Sequence, residues 1–224
     1  MGEDTALIRE SIRVFFDKKK IQKEGDRFSQ LNLLRRHKNI CLHGSELATW
    51  PGVMAILAGI EMLGYFYKGG VFKFGSADKF TQFYTNFFFK DDHSPQKQTD
   101  AINLYKARCA MMHTYGLYTE DYDRRGNITK VYYFSINMNT TSPIIYQEPG
   151  TDNYVISIPS LDNEFDNAVD NYQEFLSGLL ETDPADPKIV LFLEAYKKVK
   201  LIGDPKFMTP FVYGSTSGSA LLTP

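Results

Sequence analysis

The stretch YKARCAMMHTYGLY, residues 105–118, sets an arginine, a cysteine and a histidine among apolar side chains on one helical segment. Arg108 and His113 are five positions apart. At ~100° per residue they lie roughly 140° apart around a helix and about 7.5 Å apart along it. That offset suits opposite walls of a cleft. Cys109 and His113 are i,i+4 and share a stripe with Tyr105, whereas Arg108 shares one with Met112 and Tyr115.

Three chemistries compete for Cys109 and His113. As nucleophile and base they lack an evident oxyanion hole or nucleophile turn. As metal ligands they are too few, with Cys41-x-His43 the only other such pair, so no metal site is expected. The reading adopted makes Cys109 a small packing residue beside the histidine. The histidine beside it is then functional or structural, and Arg108 and His113 could flank a single cleft from two sides. The alternative is a salt-bridge and hydrogen-bond set that only stabilises the bundle.

The positioning elements follow from apolar spacing. Leu7, Ile8, Ile12, Phe15 and Phe16 predict a first helix capped by Asp4 or Thr5. A weaker helical stretch, DRFSQLNLLRRHKN, follows it. The run from Trp50 to Tyr67 is apolar on nearly every side and holds Glu61. A charge is expensive in lipid, so a buried central helix, capped by Thr49, is expected rather than a membrane span. Glu61 needs a partner there, and Arg108 is the best placed; reaching solvent at a bundle edge is the other option. Phe80, Phe83, Tyr84 and Phe87 mark a short aromatic helix, and residues 96–116 the helix of the opening stretch.

The pattern then changes to β-branched and aromatic residues, with a β-hairpin or a small antiparallel sheet expected at about 128–160. Leu161, Phe165, Val169, Tyr172, Phe175, Leu176, Leu179 and Leu180 return to a helix face, and KIVLFLEAYKKVKLIG gives a last helix. The expected fold is mainly α: an up-and-down helical bundle over 1–203, with the hairpin inserted before the C-terminal helices. A Gly/Ser/Pro-rich tail occupies 204–224.

Here the residues resemble a known family. LYKARCAMMHTYGLY is similar to the signature helix of the HEPN superfamily, the higher eukaryotes and prokaryotes nucleotide-binding domain. Its motif is Arg, four to six residues, then His. A long apolar helix with a central acid and a short aromatic helix precede it in the same order, so the resemblance covers roughly 4–118 and one or both C-terminal helices. It implies metal-independent and cofactor-free RNA cleavage at a composite cleft in a homodimer. Arg108 and His113 would be catalytic, with Glu61, Cys109 and Tyr105 supporting them. Cys109 stands where active members often carry Asn, Asp or His. That departure favours a second reading: a non-catalytic module binding a nucleotide, RNA or a protein partner. The resemblance also suggests a defence or toxin–antitoxin setting, with an antitoxin or regulatory protein as a further partner.

The overall charge of −2 gives no general pull toward nucleic acid, but its distribution is uneven. Residues 9–40 carry ten Lys/Arg against four acids, while 131–187 carry ten acids and no Lys or Arg. Arg35, Arg36 and Lys38 are thus candidate phosphate contacts, and the acidic region is their candidate internal partner. Two cysteines make no disulfide framework, and the N-terminal residues carry no apolar leader, so a cytoplasmic setting is expected.

Overall fold

The computed structural model describes residues 5–18, 29–45, 47–69, 75–114, 117–140 and 142–202; of His113, Thr114 and 199–202 it describes the backbone alone. Five helices come first: α1 (Thr5–Phe16), α2 (Gln30–His43), α3 (Thr49–Lys68), α4 (Ser76–Phe87) and α5 (Pro95–Thr114). Strands β1 (Tyr118–Tyr122), β2 (Ile128–Asn137), β3 (Ile145–Gln147) and β4 (Asn153–Ser157) follow, then α6 (Ile158–Thr182) and α7 (Pro187–Ile202). The chain is mainly helical, with a small sheet inserted before the last two helices, as its apolar spacing predicts. The stretch 204–224 lies outside the described residues.

α3 is the axis, touching α2, α4, α5, α6 and α7. Three of its glycines open it to three neighbours. A Cβ on Gly52 would stand 2.2 Å from Leu42 of α2, one on Gly59 2.8 Å from Phe165 of α6, and one on Gly64 2.3 Å from the Lys79 carbonyl oxygen of α4. The contact at Gly64 is backbone against helix, so nothing there can swing aside. Around α3, the rings of Phe15, Phe66 and Phe192 meet at 4.4–5.8 Å, and Tyr172 lies within the same range of Phe83 and Phe87. α3 is long and apolar enough to cross a membrane by length and composition, but half of its apolar window is buried inside the protein.

Caps differ in small ways from expectation. Ser29 caps α2, its hydroxyl accepting from the Asn32 N–H at 3.0 Å and donating to the Phe15 carbonyl at 2.6 Å, which ties the end of α1 to the start of α2. α3 begins at Thr49 itself, and Ala48 before it makes no side-chain cap. Instead the Ala48 N–H donates to the Cys41 carbonyl at 2.8 Å, so contact with α2 fixes the start.

The insert is larger than a hairpin. Its order is β1-β2-β4-β3. Two antiparallel hairpins, β1–β2 and β3–β4, meet along their second strands, which pair in parallel. The two segments expected to face each other antiparallel, β2 and β4, are therefore neighbours running the same way. Each hairpin has its own turn. Asp123 accepts from the Arg125 and Asn127 N–H groups with Gly126 at φ 81°, and Glu148-Pro149-Gly150-Thr151 turns with Gly150 at φ 75°.

Gly64→Ala should lower stability by about 1–3 kcal/mol, because the added methyl meets fixed backbone. Urea unfolding monitored by far-UV circular dichroism measures this; an unchanged midpoint would contradict the close α3–α4 approach.

Candidate functional site

Glu61 interrupts the apolar surface of α3, and α5 answers it. The Arg108 Nη2 lies 2.6 Å from a Glu61 carboxylate oxygen, with side chains only 17% and 23% exposed. At that burial an unpaired carboxylate would be costly, so each charge fixes the other. One edge of the guanidinium is thus committed. Its Nε is buried and has no protein hydrogen-bond partner among the described residues.

Tyr105 and Cys109 stand beside this pair on α5. The Tyr105 ring packs edge-on against Phe80 of α4 at 5.6 Å. Its hydroxyl is pushed up to about 12, first by burial and then by Cys109, which is also its hydrogen-bond partner; Arg108 and Glu61 act on it with opposite sign. Cys109 is a half-buried free thiol engaged one turn back toward Tyr105. His113 lies on the last turn of α5, and its side chain is outside the described residues. Glu61, Tyr105, Arg108 and Cys109 are brought together; the place of the imidazole relative to them rests on helical spacing alone.

The basic residues of α2 face another way. Lys38 is 1% exposed and donates to Asp162 and, at 2.7 Å, to Asp166 of α6. The Arg35 Nη2 reaches Asp170 at 3.4 Å and its Nη1 the Phe16 carbonyl at 3.5 Å. Lys18 closes the row on Asp170 at 2.7 Å. Three aspartates spaced four apart on α6 therefore match a row of cations on α2 and just past the end of α1. The acidic region pairs with the basic one, and Lys38 and Arg35 are not offered to an outside phosphate. Arg36 is half-buried on the same helix.

Sequence reasoning passed over two groupings. His43 ends α2 with its Nε2 2.8 Å from Asp162, joining the Lys38 pair; the i, i+4, i+8 spacing of Asp162, Asp166 and Asp170 was its signal. Lys106 bonds Asp121 of β1 and lies 3.7 Å from the centre of the Tyr132 ring, fastening α5 to the sheet. Asp121 also accepts from the Tyr132 hydroxyl at 2.8 Å, and these partners hold its carboxyl below the ordinary range against the opposing effect of burial. Among the described residues no cluster of His, Cys, Asp and Glu could hold a metal ion.

Two outcomes follow. Arg108→Ala or Glu61→Ala should cost about 1–3 kcal/mol each, between the values for exposed and buried pairs. The double variant should lose less than the sum, as a double-mutant cycle of urea midpoints would show. Tyr105 keeps its proton to higher pH folded than unfolded, where ~10 is usual. Its contribution to stability is complete below pH 10 and is lost as pH rises through about 12. Tyr105→Phe should accordingly flatten the fall of the thermal midpoint across that window; an unaltered slope would contradict it. No protein-family model, curated protein or solved structure matches the chain.

Proposed function

We propose that the protein is a HEPN-like ribonuclease that cleaves RNA without a metal, through Arg108 and His113. The observation that carries this reading is the placing of Arg108: Glu61 fixes a guanidinium at 2.6 Å that keeps part of its side chain exposed beside Tyr105 and Cys109 on α5. A guanidinium oriented by a carboxylate and still partly exposed is pre-set to bind an oxyanion on its exposed part.

The chemistry uses the ribose 2′-hydroxyl, which attacks the adjacent phosphorus as the bond from phosphorus to the 5′-oxygen breaks. The 2′-proton leaves to a base and the 5′-oxygen gains one, giving a 2′,3′-cyclic phosphate and a 5′-hydroxyl. His113 moves the proton, since an imidazole near neutrality can serve as acid or base. Arg108 stabilises the charge that grows on the phosphoryl oxygens. The 140° offset of the two residues calls for a second α5, so the active form is a homodimer, and an antitoxin or regulatory protein is a fitting further partner.

A second reading is favoured by one specific contact. The thiol of Cys109 is engaged by Tyr105 and is a weak hydrogen-bonding group, so it does little to orient an imidazole one turn away. On that reading the protein is a non-catalytic module that binds a nucleotide, RNA or a protein.

The two readings separate in one assay. Purified protein in EDTA should cut a single-stranded RNA and leave 2′,3′-cyclic ends, and His113→Ala or Arg108→Ala should lower the rate by at least a hundredfold. Activity that is equal in the wild type and both variants, or that needs added metal, would exclude the ribonuclease reading.

A further inference from the structure

β1 and β4 share almost none of β2. β1 pairs with its first half, Ile128 to Tyr133, and β4 joins only from Tyr133 onward. Five residues of β2, 128–132, thus run beside β1 alone. At about 3.3 Å per residue this two-stranded ribbon extends roughly 16 Å beyond the start of β4. Its inner face is fixed to α5 and β4 through Lys106, Asp121 and Tyr132.

The outer face is different. Tyr118 and Tyr133 are directly opposed across the ladder with ring centres 6.3 Å apart. Tyr122 lies on the same side, since its hydroxyl donates to Glu120, two residues from Tyr118. These three tyrosines are 49%, 52% and 59% exposed, in the order Tyr118, Tyr133, Tyr122. At the tip, Arg124 and Arg125 are exposed, and their guanidinium groups have no ion-pair or hydrogen-bond partner among the described residues.

Six of the other cations are answered. Lys18, Arg35, Lys38, Lys68, Lys106 and Arg108 each lie within ion-pair distance of a carboxylate. The acids near the arm stay charged but are engaged. Asp123 is folded into the turn and held low chiefly by its hydrogen bonds from Asn127, Asp121 is held by Lys106, and Glu120 takes the Tyr122 hydroxyl. The arm therefore presents two arginine side chains without a direct partner, followed by a row of open aromatic faces. A flexible polyanion with flat apolar rings along it complements both features at once.

We propose that the β1–β2 arm binds a single strand of RNA, with Arg124 and Arg125 on phosphates and Tyr122, Tyr118 and Tyr133 stacking on bases. The choice of RNA over other single strands rests on the ribonuclease reading; the arm itself does not depend on cleavage.

The test uses the full-length chain in a His113→Ala background and a fluorescent single-stranded oligoribonucleotide of about 12 nucleotides. Fluorescence anisotropy should show Arg124→Ala/Arg125→Ala binding at least tenfold more weakly. Its salt dependence should be shallower by about 1.4 in the log–log slope, the value for two lost phosphate contacts on a single strand. Tyr118→Ala/Tyr133→Ala should weaken binding by a similar factor and leave the slope unchanged. Circular dichroism and thermal melts confirm that the exposed substitutions leave the fold intact, and Arg124→Lys/Arg125→Lys should restore most of the salt slope. Equal affinity and slope in the arginine double variant would overturn the proposal. So would an absence of RNA binding by the parent protein, an outcome that would point to an acidic protein surface as the occupant. With His113 restored, binding without cleavage sinks the ribonuclease reading and leaves the arm. Cleavage that the arm variant performs equally fast at RNA below half-saturation sinks the arm and leaves the enzyme.

Discussion

A helix that is apolar on nearly every side has to be covered on nearly every side, and α3 imposes that requirement on the rest of the bundle. Its twenty residues include one charge, Glu61, before the closing Lys68. No single neighbour can bury such a surface, so α2, α4, α5, α6 and α7 each contribute an apolar stripe. The glycines decide how near they come. Close approach brings more side-chain atoms into van der Waals contact, and at Gly64 it brings α4 backbone against α3. Glu61 makes the arrangement specific as well as dense. Only a neighbour that supplies a cation at its level can pack there without leaving a charge unanswered, and α5 supplies Arg108.

Charge performs a second specifying role between α2 and α6. Either helix alone would be strongly one-signed along the facing stripe. Together, Lys38 sits between Asp162 and Asp166 while Arg35 spans Asp166 and Asp170. Shifting one helix by a turn would carry Lys38 and His43 together one aspartate along and leave Asp162 without either. The ladder thus fixes register, which the apolar contacts around it, being non-directional, do not. Lys38 at 1% exposure is also why the uneven charge of the chain does not make α2 a phosphate surface.

Where the sequence was informative, the information was local. Buried residues such as Ile12, Phe83 and Leu176 recur at helical spacing, so the helices follow from their own stripes. Glu61 and Arg108 are legible as partners because each is anomalous in its own helix. The sheet was less legible. Strand spacing reports which face is buried but not which direction a neighbour runs, so β2 and β4 read equally well as a hairpin or a parallel pair. β1 hid because YTEDY carries two acids, and one of these, Asp121, faces inward only because Lys106 of α5 comes to meet it. That contact is tertiary and leaves no trace in the local pattern. For the candidate site, spacing gave the residues that share α5, whereas the link between Tyr105 and Cys109 needed coordinates.

α5 is held from both sides, and this bears on how recognition and chemistry could be joined. Lys106 and Arg108 are two positions apart, which places them roughly 200° around the helix from each other. One is fastened to the sheet through Asp121 and Tyr132, the other to α3 through Glu61. A helix clamped on opposite faces by charged contacts resists rotation about its axis, since any turn that relieves one contact strains the other. The arm and the Arg108 site are therefore carried by a single element whose orientation is set. A strand bound along the outer tyrosines would not need to move α5 to influence which phosphate reaches Arg108. The fixed path from β1 through Lys106 to α5 holds the two at a constant separation. On the proposed ribonuclease reading, selection of the scissile position would be a matter of distance along the strand rather than of base identity, because stacking tolerates any base.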